Sequence, residues 1–192
     1  MAGKVKKAVQ KKLVRKKRRV KNKPTKKKKL LQKKKAAKRA SIFRPGGYHT
    51  LTPYLSVHDG NAAVDYYTKA FGAKEKAGRM SGPDGKIMHT EIKIGDSYFM
   101  LADESSEMGN VSPKTQGKTT VQFLIYVKNA DAIMKQAVAA GGVMIKPVEL
   151  QFYGDRSGRL EDPFGYTWFI ATHVEDVSPK EMVKRAAALY GG

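Results

Sequence analysis

Between Tyr48 and Val177 the spacing of hydrophobic and polar positions changes several times, and each change marks an element. The stretch TLTPYLSV alternates, with Leu51, Pro53, Leu55 and Val57 on one side and Thr50, Thr52, Tyr54 and Ser56 on the other. That period of two predicts a strand with one buried face. Pro53 has no amide hydrogen to give a ladder, which places it at an edge or an irregular start. DGNAAVDYYTKAFG follows at helical spacing, with Asp59 or Asn61 available as its N-cap and Gly72 as its left-handed end. Three strands are predicted next, over residues 74–80, over 87–94 after the GPDG turn, and over 97–102 after Gly95 and Asp96.

The same order then returns: a strand over 120–127, a helix over 130–140 ending in two glycines, and strands over 143–150, 159–161 and 167–172. An offset of 70 residues pairs Val57 with Val127, Ala62 with Ala132, Gly72 with Gly142, Glu91 with Glu161, and GDSYF (Gly95 to Phe99) with GYTWF (Gly165 to Phe169). Leu55 with Ile125 and Tyr98 with Trp168 are conservative matches at the same offset. The pattern is two copies of one βαβββ module. ESSEMGNVSPKTQGK between them reads as a polar linker or lid. Ser178, Pro179 and Glu181 form a capping box, so a last helix is expected over 179–189.

Charge changes this picture at one end only. The 192 residues carry a formal net charge of +21, and 22 of the 38 Lys and Arg lie in residues 1–44, which hold no acid. The remainder is near neutral, with 16 bases against 17 acids. Blocks of lysine with few apolar residues are expected to be disordered and to bind DNA or RNA without sequence preference, through counterion release. Arg15, Lys16, Lys17, Arg18, Arg19, Lys26, Lys27, Lys28 and Lys29 are the expected contacts. This segment resembles the lysine-rich tails of histone-like proteins, and RKKRR resembles a nuclear-targeting cluster; a purely solubilising extension is the other reading. There is no cysteine, and the longest apolar run, FLIYV, is far too short to span a bilayer. The expectation is a cytoplasmic protein without membrane association, nucleoid-associated in a bacterium or nuclear in a eukaryote.

The expected class is α+β: a tail over 1–46, module one over 47–104, a linker over 105–118, module two over 119–177, and a C-terminal helix within 178–192. The tandem modules, with YLSVHDGNAAVDYYTKAFGA in the first and YGDRSGRLEDPFGYTWFIATH in the second, resemble the vicinal oxygen chelate superfamily. Its members include glyoxalase I, bleomycin-resistance proteins and extradiol dioxygenases. GDRSGRLEDPFG followed by W.IATH and VEDVSP resembles its PhnB-like subgroup.

The resemblance implies a cup-like mixed sheet around a cavity, often completed by a second subunit, so a homodimer is expected. In the family's enzymes four inward side chains hold a divalent metal that acts as a Lewis acid. The motif positions carry Thr52 and Phe99 in module one, Gln122 and Phe169 in module two. Phenylalanine cannot donate a lone pair, so no cofactor metal is expected in the usual place.

On the IMHTEIKIG strand, Met88, Thr90, Ile92 and Ile94 form the apolar parity, which sends Ile87, His89, Glu91 and Lys93 to the other face. His89 and Glu91 are therefore the candidate catalytic pair, as general base with its orienter or as ligands of a displaced metal. An ordinary solvated face is the alternative. Thr52, Tyr54, Gln122, Leu124, Tyr126 and Phe169 share one parity and form a candidate pocket wall, or else a second core or dimer interface. Tyr153, Asp155, Arg156 and Arg159 in YGDRSGR are placed at the pocket mouth, where Arg156 either clamps an anion or pairs with Asp155. Glu161 and Asp162 are expected to cap a turn, and Trp168 to pack in the core.

These readings point to a protein that binds a small molecule between its modules and nucleic acid through its tail. The alternatives are a nucleic-acid-associated protein that uses the domain for dimerisation, and a lyase or dioxygenase with a displaced metal.

Overall fold

The computed structural model describes residues 26–28, 30–31 and 43–191. Contacts divide the chain into two units, Met1–Gly46 and Gly47–Gly192. In the first, residues 26–28 and 30–31 are helical. Arg15, Lys16, Lys17, Arg18, Arg19 and Lys29, named above as nucleic-acid contacts, lie outside the described residues.

The second unit holds two sheets. Strands β1 (Tyr54–Val57), β2 (Lys74–Glu75), β3 (Met80–Ser81), β4 (Ile87–Ile94) and β5 (Ser97–Asp103) form the first, in the order β1-β5-β4-β2 with β3 also on β4. Strands β6 (Gln122–Tyr126), β7 (Val143–Leu150), β8 (Asp155–Glu161) and β9 (Thr167–His173) form the second, in the order β6-β9-β8-β7. Helices α1 (Gly60–Phe71) and α3 (Ala130–Ala139) sit at matching places in the two modules. The linker folds a short turn of helix, α2 (Pro113–Gln116), and α4 (Pro179–Tyr190) ends the chain.

Local chemistry accounts for the element limits. The Asp59 carboxylate accepts the Ala62 amide and Asn129 accepts that of Ala132, so each module's helix starts on a side-chain cap. Asn61, the other candidate cap, instead donates to the Gly85 carbonyl. Gly72 ends α1 at φ 66°, a conformation that costs a residue with a Cβ. Ser178 accepts the Glu181 amide at the start of α4, as the capping box requires.

Two expectations are corrected. The strand predicted over 74–80 is split into β2 and β3, and the parity of β4 fails at its start: Ile87 is buried and Met88 is 61 % exposed. Met80 pairs with His89 but Ser81 pairs with Ile87, so Met88 is an extra residue bulged out of the ladder. Ile87 is then drawn inward, its amide donating to Asp103 at 2.6 Å.

A further correction concerns the repeat. Tyr54 pairs with Met100 in module one, while Leu124, its partner at the 70-residue offset, pairs with Phe169. The offset has therefore shrunk to 69 in the last strand, so Phe99 corresponds to Trp168, and Met100 to Phe169. The contraction arises before β8, which already stands at an offset of 68 from β4; the last turn restores one residue, since Ile94 and Ser97 close a two-residue hairpin whereas Glu161 and Thr167 are joined through five residues, Asp162 to Tyr166. In the same frame Glu91 opposes Met100 where Arg159 opposes Phe169, and Lys93 stands where module two has Glu161.

Phe99 thus points toward the helices, into a core that both modules share with Tyr67, Phe71, Phe164, Trp168 and Ile170. A buried carboxylate joins the halves. Asp162 Oδ2 accepts Tyr67 Oη from α1 and Trp168 Nε1 from β9, each at 2.8 Å, while Oδ1 accepts the Phe164 and Tyr166 amides at 2.9 Å. Burial pushes the Asp162 carboxyl above its ordinary value, against the pull of these four donors.

Candidate functional site

Side chains of a strand alternate, so the residues not facing the helices form an open face on each sheet. In module one this face carries Tyr54, His89, Glu91, Lys93, Tyr98 and Met100; in module two, Gln122, Leu124, Tyr126, Ser157, Arg159 and Phe169. Strands β1 and β6 are the free edges of their sheets and border two hollows. One, of about 620 Å³, is lined by Leu51, Tyr54, Pro113, Val121, Gln122 and Tyr166 among others; the second, of about 520 Å³, by Pro53, Tyr98, Leu124, Tyr126 and Trp168. Thr52 precedes β1, and its hydroxyl donates to the His49 carbonyl at 3.2 Å.

His89 and Glu91 do share a face. His89 Nδ1 lies 3.1 Å from the Tyr54 hydroxyl, and Nε2 lies 3.9 Å from Glu91. Glu91 is already engaged by the Lys76 ammonium at 3.2 Å, which sits 4.2 Å from the centre of the Tyr48 ring. Tyr48 stacks on Tyr98 at 4.7 Å. The nearby Tyr48 hydroxyl, although it makes no hydrogen bond of good geometry, and the Lys76 ammonium hold the Glu91 carboxyl below its usual range. Burial, followed by the nearby Glu91, pushes Tyr48 well above the usual phenol value.

Module two joins two residues that the sequence singled out separately, Tyr126 and Asp155, to two that it did not, His173 and Asp176. Tyr126 donates to Asp155 Oδ2 at 2.9 Å, Asp155 Oδ1 holds His173 Nδ1 at 2.7 Å, and His173 Nε2 reaches Asp176 at 3.0 Å. The Asp155 bond, first, and that of Asp176 raise His173 above its ordinary value. The only sequence signal for this set was the alternation from Asp155 along GDRSGR, and strand β8 was predicted too short to show it.

Arg156 corrects another expectation. It falls on the helix side of β8 and binds Asp131 in the first turn of α3 through two bonds of 2.7 and 2.8 Å. It neither pairs with Asp155 nor reaches the open face. Tyr153 stays at the mouth of a smaller cleft, its hydroxyl 3.3 Å from that of Ser157. Arg159 lies within β8 with its guanidinium 5.8 Å from the centre of the Phe169 ring.

The positions marked for metal ligands do not converge on a donor set. Thr52 is off the strand, Phe99 is in the core, and Met100 stands opposite in kind to a hard ligand at the place matching Phe169. Among the described residues no group of three or more His, Cys, Asp or Glu is placed to hold a metal ion. Nor, among them, is any helix long and apolar enough to cross a membrane.

Comparison with known proteins agrees with this architecture. An uncharacterised protein of Mycobacterium bovis is 37 % identical over 135 residues, 69 % of this chain and 88 % of that one. The structure of a gene product from Arabidopsis thaliana covers 67 % of this chain and 99 % of its own, with a TM-score of 0.53 and 29 % identity. TioX from Micromonospora sp. shares the fold, with a TM-score of 0.52 and 24 % identity over 66 % of this chain and 99 % of its own. Residues 47–170, from ahead of β1 into β9, match the family described as the Glyoxalase/Bleomycin resistance protein/Dioxygenase superfamily, and to that superfamily the chain belongs.

Proposed function

We propose that the domain binds an organic small molecule along the open face of module two and the hollows beside β1 and β6, without a metal in the family's usual place. The observation that carries this reading is the exposure of large side chains where a soluble sheet would normally be polar. Tyr54 is 53 %, Leu124 50 % and Tyr126 61 % exposed, beside the hydrogen-bonding groups of Gln122 and Thr119. The donor chemistry at Thr52, Phe99, Gln122 and Phe169 supports binding over metal-assisted chemistry. The GDRSGRLEDPFG motif supports a place among PhnB-like proteins. A homodimer in which a second copy covers part of these faces belongs to the same reading.

Titration of the full chain with a neutral apolar dye such as Nile red tests it. Leu124→Glu should weaken binding at least about tenfold, since a carboxylate must be desolvated. Equal affinity in wild type and variant refutes the site. The N-terminal segment is proposed to hold the protein on DNA or RNA without sequence preference. Affinity should fall steeply with salt and vanish on deletion of residues 1–46; retention on polyanion after that deletion refutes it.

One observation favours a second reading, proton transfer by His89. Tyr54 and Glu91 flank its two ring nitrogens, the arrangement by which a general base is oriented.

A further inference from the structure

The cleft beside Phe169 contains a cation without a counterpart. Arg159 Nε is buried and has no hydrogen-bond partner, and among the described residues the guanidinium makes no ion pair. A buried N–H left without an acceptor destabilises, and more so on a charged group. The Phe169 ring, 5.8 Å away, compensates the charge in part. It meets the guanidinium as a π-face, whereas the N–H donors of a guanidinium radiate in its own plane, so the ring leaves the Nε–H unanswered.

The backbone builds a space that the Arg159 side chain lines. Lys146 pairs with Arg159 and Glu149 with Ser157, so three steps along β7 match two along β8. The extra residue falls at Pro147-Val148, where the missing proline amide interrupts the ladder, and the resulting bulge bends β7 away from β8. The cleft so formed has a volume of about 160 Å³ and is lined by Lys146, Gln151, Tyr153, Ser157, Arg159 and Phe169, with Glu149 at its edge. Two cations face one carboxylate. The Tyr153 and Ser157 hydroxyls, 3.3 Å apart, share one hydrogen bond between them and keep a further donor for a guest.

We propose that this cleft is an anion subsite, in which Arg159 anchors the carboxylate or phosphonyl group of an organic ligand. The anion accepts from the two terminal guanidinium N–H groups of Arg159 in the bidentate manner that suits planar or tetrahedral oxyanions, while the Nε–H behind them stays buried. One hydroxyl of the Ser157 and Tyr153 pair donates to it, and the ligand's apolar body lies over Phe169 toward Leu124. This inference rests on the open face of module two being the ligand face, and it names the substrate class: an organic oxyanion with an apolar part.

The test uses the full chain, labelled with ¹⁵N-arginine, and follows the Arg159 Nε–Hε resonance, assigned by its loss in Arg159→Lys. Acetate and methylphosphonate are the probes, with acetamide as a neutral match to acetate in shape. At least one anion should move the resonance saturably with a Kd of about 1 mM or tighter. Whichever of the two binds at least about tenfold tighter identifies the anchored group. Arg159→Met, checked for folding by its melting curve, should lose that saturable binding, while phosphate uptake by the basic segment stays equal in variant and wild type. Arg159→Lys should lose about tenfold or more, because an ammonium cannot make the bidentate contact. An unmoved resonance, or an equal response to acetamide, overturns the proposal. If dye binding remains sensitive to Leu124→Glu in that case, the ligand face stands and only its anion anchor falls.

Discussion

Tyr67→Phe removes one hydroxyl from the joint between the modules and leaves the ring in place. Tyr67 is wholly buried, and its hydroxyl donates to Asp162 Oδ2 at 2.8 Å. A hydrogen bond to a charged group contributes about 1.5–3 kcal/mol, and the retained ring packing removes any cavity term, so a loss of about 2 kcal/mol is expected. For a domain of this size that is a fall in Tm of about 4–8 °C. Asp162→Asn should cost more, about 3–4 kcal/mol. Its amide oxygen can still accept the Phe164 and Tyr166 amides, but its NH₂ then meets the Trp168 N–H donor to donor. Because burial lifts the Asp162 carboxyl above its unfolded value, the folded state holds that proton more tightly. This group's contribution to stability therefore grows as pH falls from neutrality through the folded value to the unfolded one, and Asp162→Asn should abolish that acid-side gain. Trp168 is the only tryptophan and touches the same carboxylate, so guanidinium melts followed by its emission report the joint directly. A Tyr67→Phe variant within about 0.5 kcal/mol of wild type, or no coupling between the two substitutions in a double-mutant cycle, would falsify this account of the joint.

The other predictions address the second module. His173, raised by Asp155 and then Asp176, should titrate above its ordinary value in an NMR titration, and Asp155→Asn should lower it. Its stabilising contribution is complete below the ordinary histidine value and is lost as pH rises through the folded one. A wild-type His173 that titrates at or below the ordinary value contradicts the bonded geometry. Gly158→Ala should destabilise by about 2 kcal/mol or more, because the added Cβ would stand 2.8 Å from the Lys146 carbonyl oxygen and 2.9 Å from Met134 Cε. Chemical denaturation measures this, and a neutral result would mean that the β7 bulge relaxes freely.

Where one face of a strand is buried and the other is wet, the alternation located the element, and the limits of β4 were legible to the residue. The caps at Asp59 and Ser178 were legible for the same reason, since a side-chain acceptor three residues before a free amide has one obvious use. The bulges were not. Nothing in IMHTEIKI announces that Met88 leaves the ladder, because a bulge is set by the partner strand and not by the bulged residue's own neighbours. The slip from 70 to 69 originates in the connection before β8, which no local pattern marks, and it moved Phe99 from a supposed cavity position into the core. At the site, residues on one strand could be grouped by parity, as His89 and Glu91 were. Contacts made across strands, such as Tyr126 with Asp155, depend on register and needed the fold. Arg156 was misplaced because YGDRSGR looks like a turn, whereas Asp155 to Arg159 is already strand and alternates.

The shortened repeat has a consequence for the lining of the domain. Glu91 and Lys93 in one module occupy the places of Arg159 and Glu161 in the other, so equivalent positions bear opposite charge. A scaffold with near twofold internal symmetry has become antisymmetric on its working surfaces. Two copies of the first module would offer a guest the same sign at both walls and two equivalent poses. The diverged pair presents unlike poles, so a guest with a charged end meets a surface on which head and tail are distinguishable.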